Sequence, residues 1–409
     1  MKILPTLTLA TLILLSGCSS DSDATSTQLT KEQLGEKLFN DKSISLTRNT
    51  SCSTCHNPEH GFVDARFLEE QADQNVFVHG AFSVGDDGSS LGGRNTPTAA
   101  YAQFNPVFEK QEDGSYKGGQ FHDGRAQSLK LQAMGPPLDG AEMQMVDKNA
   151  VIDRIKENAE YVSAFKNLYE ENIFDDINSS YEAMAEAIAK FEKTDAFAPF
   201  DSKYDRWKKG EYEFTLEEEA GYVLFFSQAN TSCATCHTIN SSSEANANEL
   251  FTNFEYENIG TPRNIEAMDA RTALGLQASD TKFKGLGGTV EASDVNYTLH
   301  LGKVKVPTLR NVAITAPYMS NGVFKKLRTV LEFYDHMGES NHNLHPMNPE
   351  TQKVWGNNDY NQTINHTDLQ QNSMNDTKIK NLEAFLRTLT DQRYESLLPE
   401  LAPIGELGN

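Results

Sequence analysis

Two copies of one five-residue pattern constrain this chain more than anything else in it: Cys52-Ser53-Thr54-Cys55-His56 and Cys233-Ala234-Thr235-Cys236-His237. Two thiols at this spacing can add to the two vinyl groups of a haem, and the adjacent His then reaches the iron as proximal ligand. With five Cys and ten His in 409 residues, roughly 0.0015 such matches arise by chance. A pair that takes four of the five Cys is not a coincidence. A disulfide or a zinc site is the competing use of CxxC, but zinc needs further ligands at matched spacing, and the sequence offers none. The pattern predicts two covalent c-type haems, one attached at Cys52 and Cys55, the other at Cys233 and Cys236. His56 and His237 are the proximal ligands.

The fifth Cys belongs to a targeting segment. Met1-Lys2 is a short basic start and Leu7–Leu15 is an apolar run, too short to cross a bilayer as a helix and suited to a secretory signal. It ends in Leu15-Ser16-Gly17-Cys18, which resembles a bacterial lipobox with Cys18 as the lipidated residue. Residues 1–17 read as a signal peptide and 18–28, rich in Ser, Thr and Asp, as a tether. Ser19 after the Cys resembles an outer-membrane sorting signal in a Gram-negative bacterium. The expectation is a periplasmic protein held to the membrane by its lipid anchor only.

The chain carries 36 Lys+Arg against 58 Asp+Glu, a net charge of −22, which excludes a nucleic-acid partner because phosphate binding needs clustered cations. Apolar residues at 38% and aromatics at 9% suit a folded protein with roughly two domains.

Helical spacing dominates. Leu34 and Leu38 precede the first motif. Leu216–Phe226 is acidic at its start and apolar at its end. Ile379, Leu382, Phe385, Leu386 and Leu389 form an amphipathic stripe. Stretches rich in Gly, Asn and Asp at Gly80–Gly93 and Glu339–Met374 read as long loops. The expected fold is all-α: two tandem cytochrome c-like domains with long loops, each binding one covalent haem. Residues 29–200 form the first, completed by 393–409, and 201–392 the second.

Three further segments narrow the reading. They are Gly93-Arg94-Asn95-Thr96-Pro97-Thr98; Phe121-His122-Asp123-Gly124-Arg125 running on to Gln132 and Glu142-Met143; and Val306-Pro307-Thr308-Leu309-Arg310-Asn311-Val312 followed by Thr315-Ala316-Pro317-Tyr318-Met319. With both CxxCH motifs in order, they resemble the bacterial di-haem cytochrome c peroxidase family, which includes the MauG-type enzymes. The resemblance runs from about Leu34 to Leu389. It implies that hydrogen peroxide reacts at the N-terminal haem on His56, and that the C-terminal haem on His237 passes electrons in. Peroxide cleavage moves a proton between two oxygens, so a distal acid is needed; the family's Glu and Gln match Glu142 and Gln132. A calcium ion bridges the domains in this family, and the matching positions are the Asn95 side chain and the Thr315 and Pro317 carbonyls. Electrons come from a small periplasmic donor such as a cytochrome c or, in MauG-like enzymes, from a protein substrate. Homodimers are common in the family, although no interface is readable here.

Three departures matter. Closed peroxidases carry a His that blocks the first iron, in the loop here reading Gly85-Asp86-Asp87-Gly88; His79 is the only His in that region and is far from the expected spacing. The expectation is an open, five-coordinate haem. The family's inter-haem Trp is replaced by His122, a poorer hole relay. Counting on from Met319, the second axial ligand of the C-terminal haem falls at Tyr334, as in MauG-type enzymes, with Met337 three residues on as the alternative and His336 as a third option. Ser320 stands where the family motif has His. Two enzyme readings stay open: a peroxidase reducing hydrogen peroxide, and a MauG-like enzyme that uses peroxide to oxidise residues of a protein partner. A non-enzymatic di-haem electron carrier is the third, and it would need no Glu142 or Gln132.

Overall fold

Thr30 and Thr215 start corresponding helices in the two halves of the chain. Each accepts a hydrogen bond from the backbone N–H three residues on, and Gln33 or Glu218 returns the bond to the cap residue, so both orphan ends of the first turn are satisfied. The helices are α1 (Lys31–Asn40), which carries Leu34 and Leu38, and, in the second half, Leu216–Phe226, with the bounds that the sequence marks. The computed structural model describes residues 28–66, 81–239, 248–275, 281–338, 344–370 and 372–400. The signal peptide, Cys18, His79 and residues 401–409 lie outside the described residues.

α1 crosses the helix Ile177–Phe191, and Leu216–Phe226 crosses the helix Asp376–Arg387. Each crossing has a Gly at its centre. A Cβ on Gly35 would strike the Ala187 carbonyl and approach the Phe191 Cβ; a Cβ on Gly221 would strike the Asn381 carbonyl and approach the Phe385 Cβ. Gly is otherwise costly inside a helix, and here its missing side chain lets two backbones touch.

Around each crossing lies a separate core. The first draws on residues from Leu34 to Ala198, with Leu38, Phe39, Phe165, Tyr181 and Phe197 almost wholly buried. The second runs from Tyr204 to Leu389, with Phe225, Phe251, Phe324, Leu382 and Phe385 at its centre. Among the described residues the strands are three antiparallel pairs of two residues each, so the fold is mostly helix and tied loop.

The chain's end returns to the first core. The Tyr394 hydroxyl donates to the Pro58 carbonyl at 2.5 Å, and the Arg393 guanidinium lies over the Phe62 ring. Asp391, fully buried, accepts from the Tyr101 hydroxyl at 2.5 Å and from Asn311 Nδ2 at 2.8 Å, joining both halves. Arg310 is the other joint. It is 1% exposed, donates twice to Asp205 at 2.6 and 2.9 Å and once to the Glu249 carbonyl, and lies among the rings of Tyr101, Phe200, Tyr204 and Phe251. A buried guanidinium is tolerable only with its charge and donors answered in this way.

Candidate functional site

The two CxxCH segments turn their His residues to the same kind of partner. His56 Nδ1 donates to the Phe62 carbonyl at 3.1 Å, and His237 Nδ1 donates to the Phe251 carbonyl at 2.9 Å. This fixes the tautomer and leaves each Nε2 as the lone pair for a metal. Burial lowers the pKa of both imidazoles, keeping them neutral and ligand-competent. Phe62 and Phe251 both have left-handed backbones, at φ 57° and 54°, and both are buried. That geometry costs of order 1–3 kcal/mol at a non-Gly residue, and it turns each carbonyl onto its His. The four Cys of the two motifs form no disulfide, and burial pushes the Cys55 and Cys236 thiols up to about 12.

Beside His237 opens a cavity of about 340 Å³, walled by both halves of the chain. The helix Leu327–Met337 presents Leu327, Val330, Leu331 and Tyr334 to it, a stripe at helical spacing. Tyr334 is therefore on the cavity wall with His237, Cys233 and Cys236. The two alternatives point elsewhere: Met337 turns its Cε to Gly260, and His336 stacks on Trp355 at 5.6 Å between ring centroids. Burial, then the nearby Cys236 and Cys233, raise the Tyr334 pKa.

The same cavity brings together Asn95, Thr315 and Pro317, 220 residues apart in sequence at the closest. Among the described residues, no backbone N–H donates to the Thr315 or Pro317 carbonyl, so both oxygens are available to a hard cation. His122 lies alongside. Its Nε2 donates to the Asn95 carbonyl at 2.9 Å and its own carbonyl accepts from Lys305 N–H at 2.8 Å. Burial, with Arg94 and Lys305 nearby, holds its pKa down to about 4, so the ring is neutral. Ser320 has a place as well: its carbonyl accepts from Asn95 N–H at 2.9 Å and its hydroxyl accepts from Arg94 at 3.3 Å. It fastens the Arg94-Asn95 segment across the two halves.

Glu142 and Gln132 belong to one clasped segment, which brings Glu142 towards the first motif. Met143 N–H donates to the Pro136 carbonyl and Met145 N–H to Pro137, while the short helix Leu129–Ala133 carries Gln132. The Glu142 carboxylate acts electrostatically on both Cys52 and Cys55. No sequence motif points to the residue that steadies this wall. Asp86, 2% exposed, accepts from Ser45 Oγ at 2.7 Å, from Asn49 N–H at 3.0 Å and from Thr47 N–H, and its own N–H donates to the Glu142 carbonyl at 2.8 Å. Burial opposes its charge, yet these donors hold its carboxyl below the usual range. The loop that lacks a blocking His is thus tied back to the segment carrying Glu142.

These observations fit a haem at each motif: two free thiols, an oriented imidazole and, at the second, an apolar-walled cavity. Lys305 and Arg94, pulled by desolvation down to about 7 and about 10, are half-buried cations suited to a carboxylate-bearing group.

Comparison with known proteins agrees. The di-haem cytochrome c peroxidase family model matches residues 29–213. The methylamine utilization protein MauG of Paracoccus denitrificans is 43% identical over 368 residues, 90% of each chain. The chain belongs to the di-haem cytochrome c peroxidase family. Another family member, the cytochrome c peroxidase Ccp of Escherichia coli, is 30% identical over 72% of this chain, which spans about half of that protein. Among solved structures, the diheme peroxidase BthA of Burkholderia thailandensis superposes with a TM-score of 0.77 at 27% identity, covering 90% of this chain and 88% of BthA. The family's mostly helical di-haem fold is the one described above.

Proposed function

We propose that this chain is a peroxide-reactive di-haem enzyme of two tandem cytochrome c-like domains, reducing hydrogen peroxide at the first haem with electrons taken in through the second. Each haem, covalently held by its Cys pair and His, supplies redox-active iron. Glu142 would take a proton from one oxygen of hydrogen peroxide and return it to the other, and Gln132 would orient the molecule by hydrogen bonding. Asp86 keeps the facing loop tied back, so peroxide reaches an open site. His237 and Tyr334 would hold the iron of the second haem. Asn95, Thr315 and Pro317 would hold a calcium ion, and Arg94 and Lys305 would supply positive charge for haem carboxylates. The mature protein is periplasmic and anchored through Cys18 lipid at the outer membrane.

The observation that carries this reading is a pair of alike His residues with unlike surroundings: the Glu142 carboxylate near the first Cys pair, and Tyr334 on the cavity wall beside His237. Tyr334 also favours a second reading. An anionic oxygen ligand stabilises oxidised iron, which suits a MauG-like enzyme that draws its electrons from side chains of a protein partner. His122 in place of an inter-haem Trp weighs against long-range hole transfer through that position. One experiment separates the readings. The purified di-haem protein is mixed with hydrogen peroxide, then offered a small reduced cytochrome c. Steady turnover of the cytochrome supports the peroxidase; a long-lived oxidised protein that the cytochrome does not discharge supports the MauG-like reading. No reaction with peroxide would sink both and leave an electron carrier.

A further inference from the structure

A carboxyl group near the first motif is used by none of this. Glu192 caps the C-terminus of the helix Ile177–Phe191 and is 6% exposed. Its N–H closes the helix on the Ile188 carbonyl. Its Oε2 is buried and has no hydrogen-bond partner among the described residues. The other buried acids are answered: Asp205 by Arg310, Asp391 by Tyr101 and Asn311, Asp86 by Ser45, Thr47 and Asn49. An ionised carboxylate without a partner is among the most costly groups a core can hold, and the negative end of its own helix opposes the charge further. Burial alone pushes its pKa up to about 8, and no charged group on α1 or the other neighbouring segments acts on it. The titratable group that faces it is the Cys52 thiol, on which Glu192 is the largest electrostatic influence. In the haem-bearing chain that sulfur would be the thioether that carries the first haem.

As a structural element this group makes little sense. A neutral side chain of similar shape would remove the unpaired oxygen at little cost. A buried, unpartnered acid beside a redox centre is a functional signal. We propose that Glu192 is the redox-linked proton site of the first haem, binding a proton when the iron carried by His56 gains an electron and releasing it when the electron leaves. The balance is one electron from the donor and one proton from solvent, taken up together; the bond formed is the carboxyl O–H, and reoxidation breaks it. Reduction removes one positive charge from the haem, so the carboxylate loses an attraction and holds a proton more tightly. Burial leaves that coupling poorly screened by salt.

The sign follows. Between the carboxyl's pKa with oxidised iron and its higher pKa with reduced iron, the midpoint potential of the first haem falls as pH rises. The limit is about 59 mV per pH unit for one electron. Outside that window it is flat on this account. The inference rests on a haem at Cys52 and Cys55, which a haem count on the purified protein checks separately: fewer than two haems per chain sinks that reading, whatever the slope.

The test is a spectroelectrochemical titration of the di-haem protein from pH 6 to 9, for wild type, Glu192→Gln and Glu192→Asp. The wild type should show a sloping first-haem potential around pH 8. The Gln variant should lose that slope, the Asp variant should keep it in a displaced window, and the second-haem potential should follow the same curve in all three. A flat wild-type potential overturns the proposal without any variant. An equal slope in wild type and Gln variant also overturns it, assigning the proton to the haem carboxylates instead.

Discussion

The two halves of this molecule are alike on the proximal side and unlike on the other. Both place a Gly at a helix crossing, both follow it with CxxCH, and both turn a left-handed Phe carbonyl onto the His Nδ1. Opposite His237 stands a helix face of Leu327, Val330, Leu331 and Tyr334. Near the first motif stand Glu142 and, bonded to its carbonyl, the buried Asp86. A rigid helical wall suits a fixed ligand, whereas polar loops suit a site that must admit a small molecule and move its protons. Duplicated proximal geometry is therefore compatible with divided labour between the two motifs.

Substitutions can break that comparison. Glu142→Gln should slow the reaction with hydrogen peroxide by about 10²–10⁴-fold in stopped-flow mixing, while the spectrum and potential of the second haem stay as in wild type. An unchanged rate removes the distal-acid role. Tyr334→Met should do the opposite: the second-haem potential rises, because a soft thioether favours reduced iron, and the first-haem spectrum is unaltered. If potentiometry shows no change, Tyr334 is not the ligand.

His122 sharpens the comparison at the seam. Its pKa is about 4 in the fold and near 6.5 in an unfolded chain. Between those values the unfolded chain binds the proton first, so stability climbs as pH rises from about 4 to 6.5, by about 3 kcal/mol, and is flat above. Urea midpoints of His122→Phe should lose that climb; a variant with the wild-type profile would place the slope elsewhere. Smallest is the test of likeness itself. Gly35→Ala and Gly221→Ala should each cost about 1–3 kcal/mol, because the added methyl must push the crossing backbones away from each other. Thermal melts showing loss from only one of them would mean that the crossings are not equivalent.

The proximal side is legible in the sequence because it is local: five contiguous residues carry thiols and imidazole together. The helices before each motif are legible from their periodicity, and Leu216–Phe226 has the bounds that the sequence marks. The carbonyls that orient the His residues are not, since Phe62 follows its His by six residues and Phe251 by fourteen. Asp86 reads in sequence as loop chemistry, and only its contacts with Ser45, Thr47 and Asn49, far back in the chain, show what it holds. Glu192 is one acid among 58; nothing but its burial separates it. Gly35 and Gly221 do offer a signal, a Gly kept inside an apolar helix at a cost, each ahead of a CxxCH. Glu142 and Tyr334 are reachable through family resemblance and counting, not through any pattern of their own.

The return of the chain's end to the first core has a consequence for how the molecule is made. Tyr394 seats on Pro58, 336 residues earlier, and Arg393 covers Phe62, whose carbonyl holds His56. A polypeptide emerges from synthesis amino end first. The first Cys pair is thus exposed to haem attachment long before its own wall is finished, and the last-made turn closes over it. A chain stopped short of Asp391 would carry both motifs and still leave the first one unsealed.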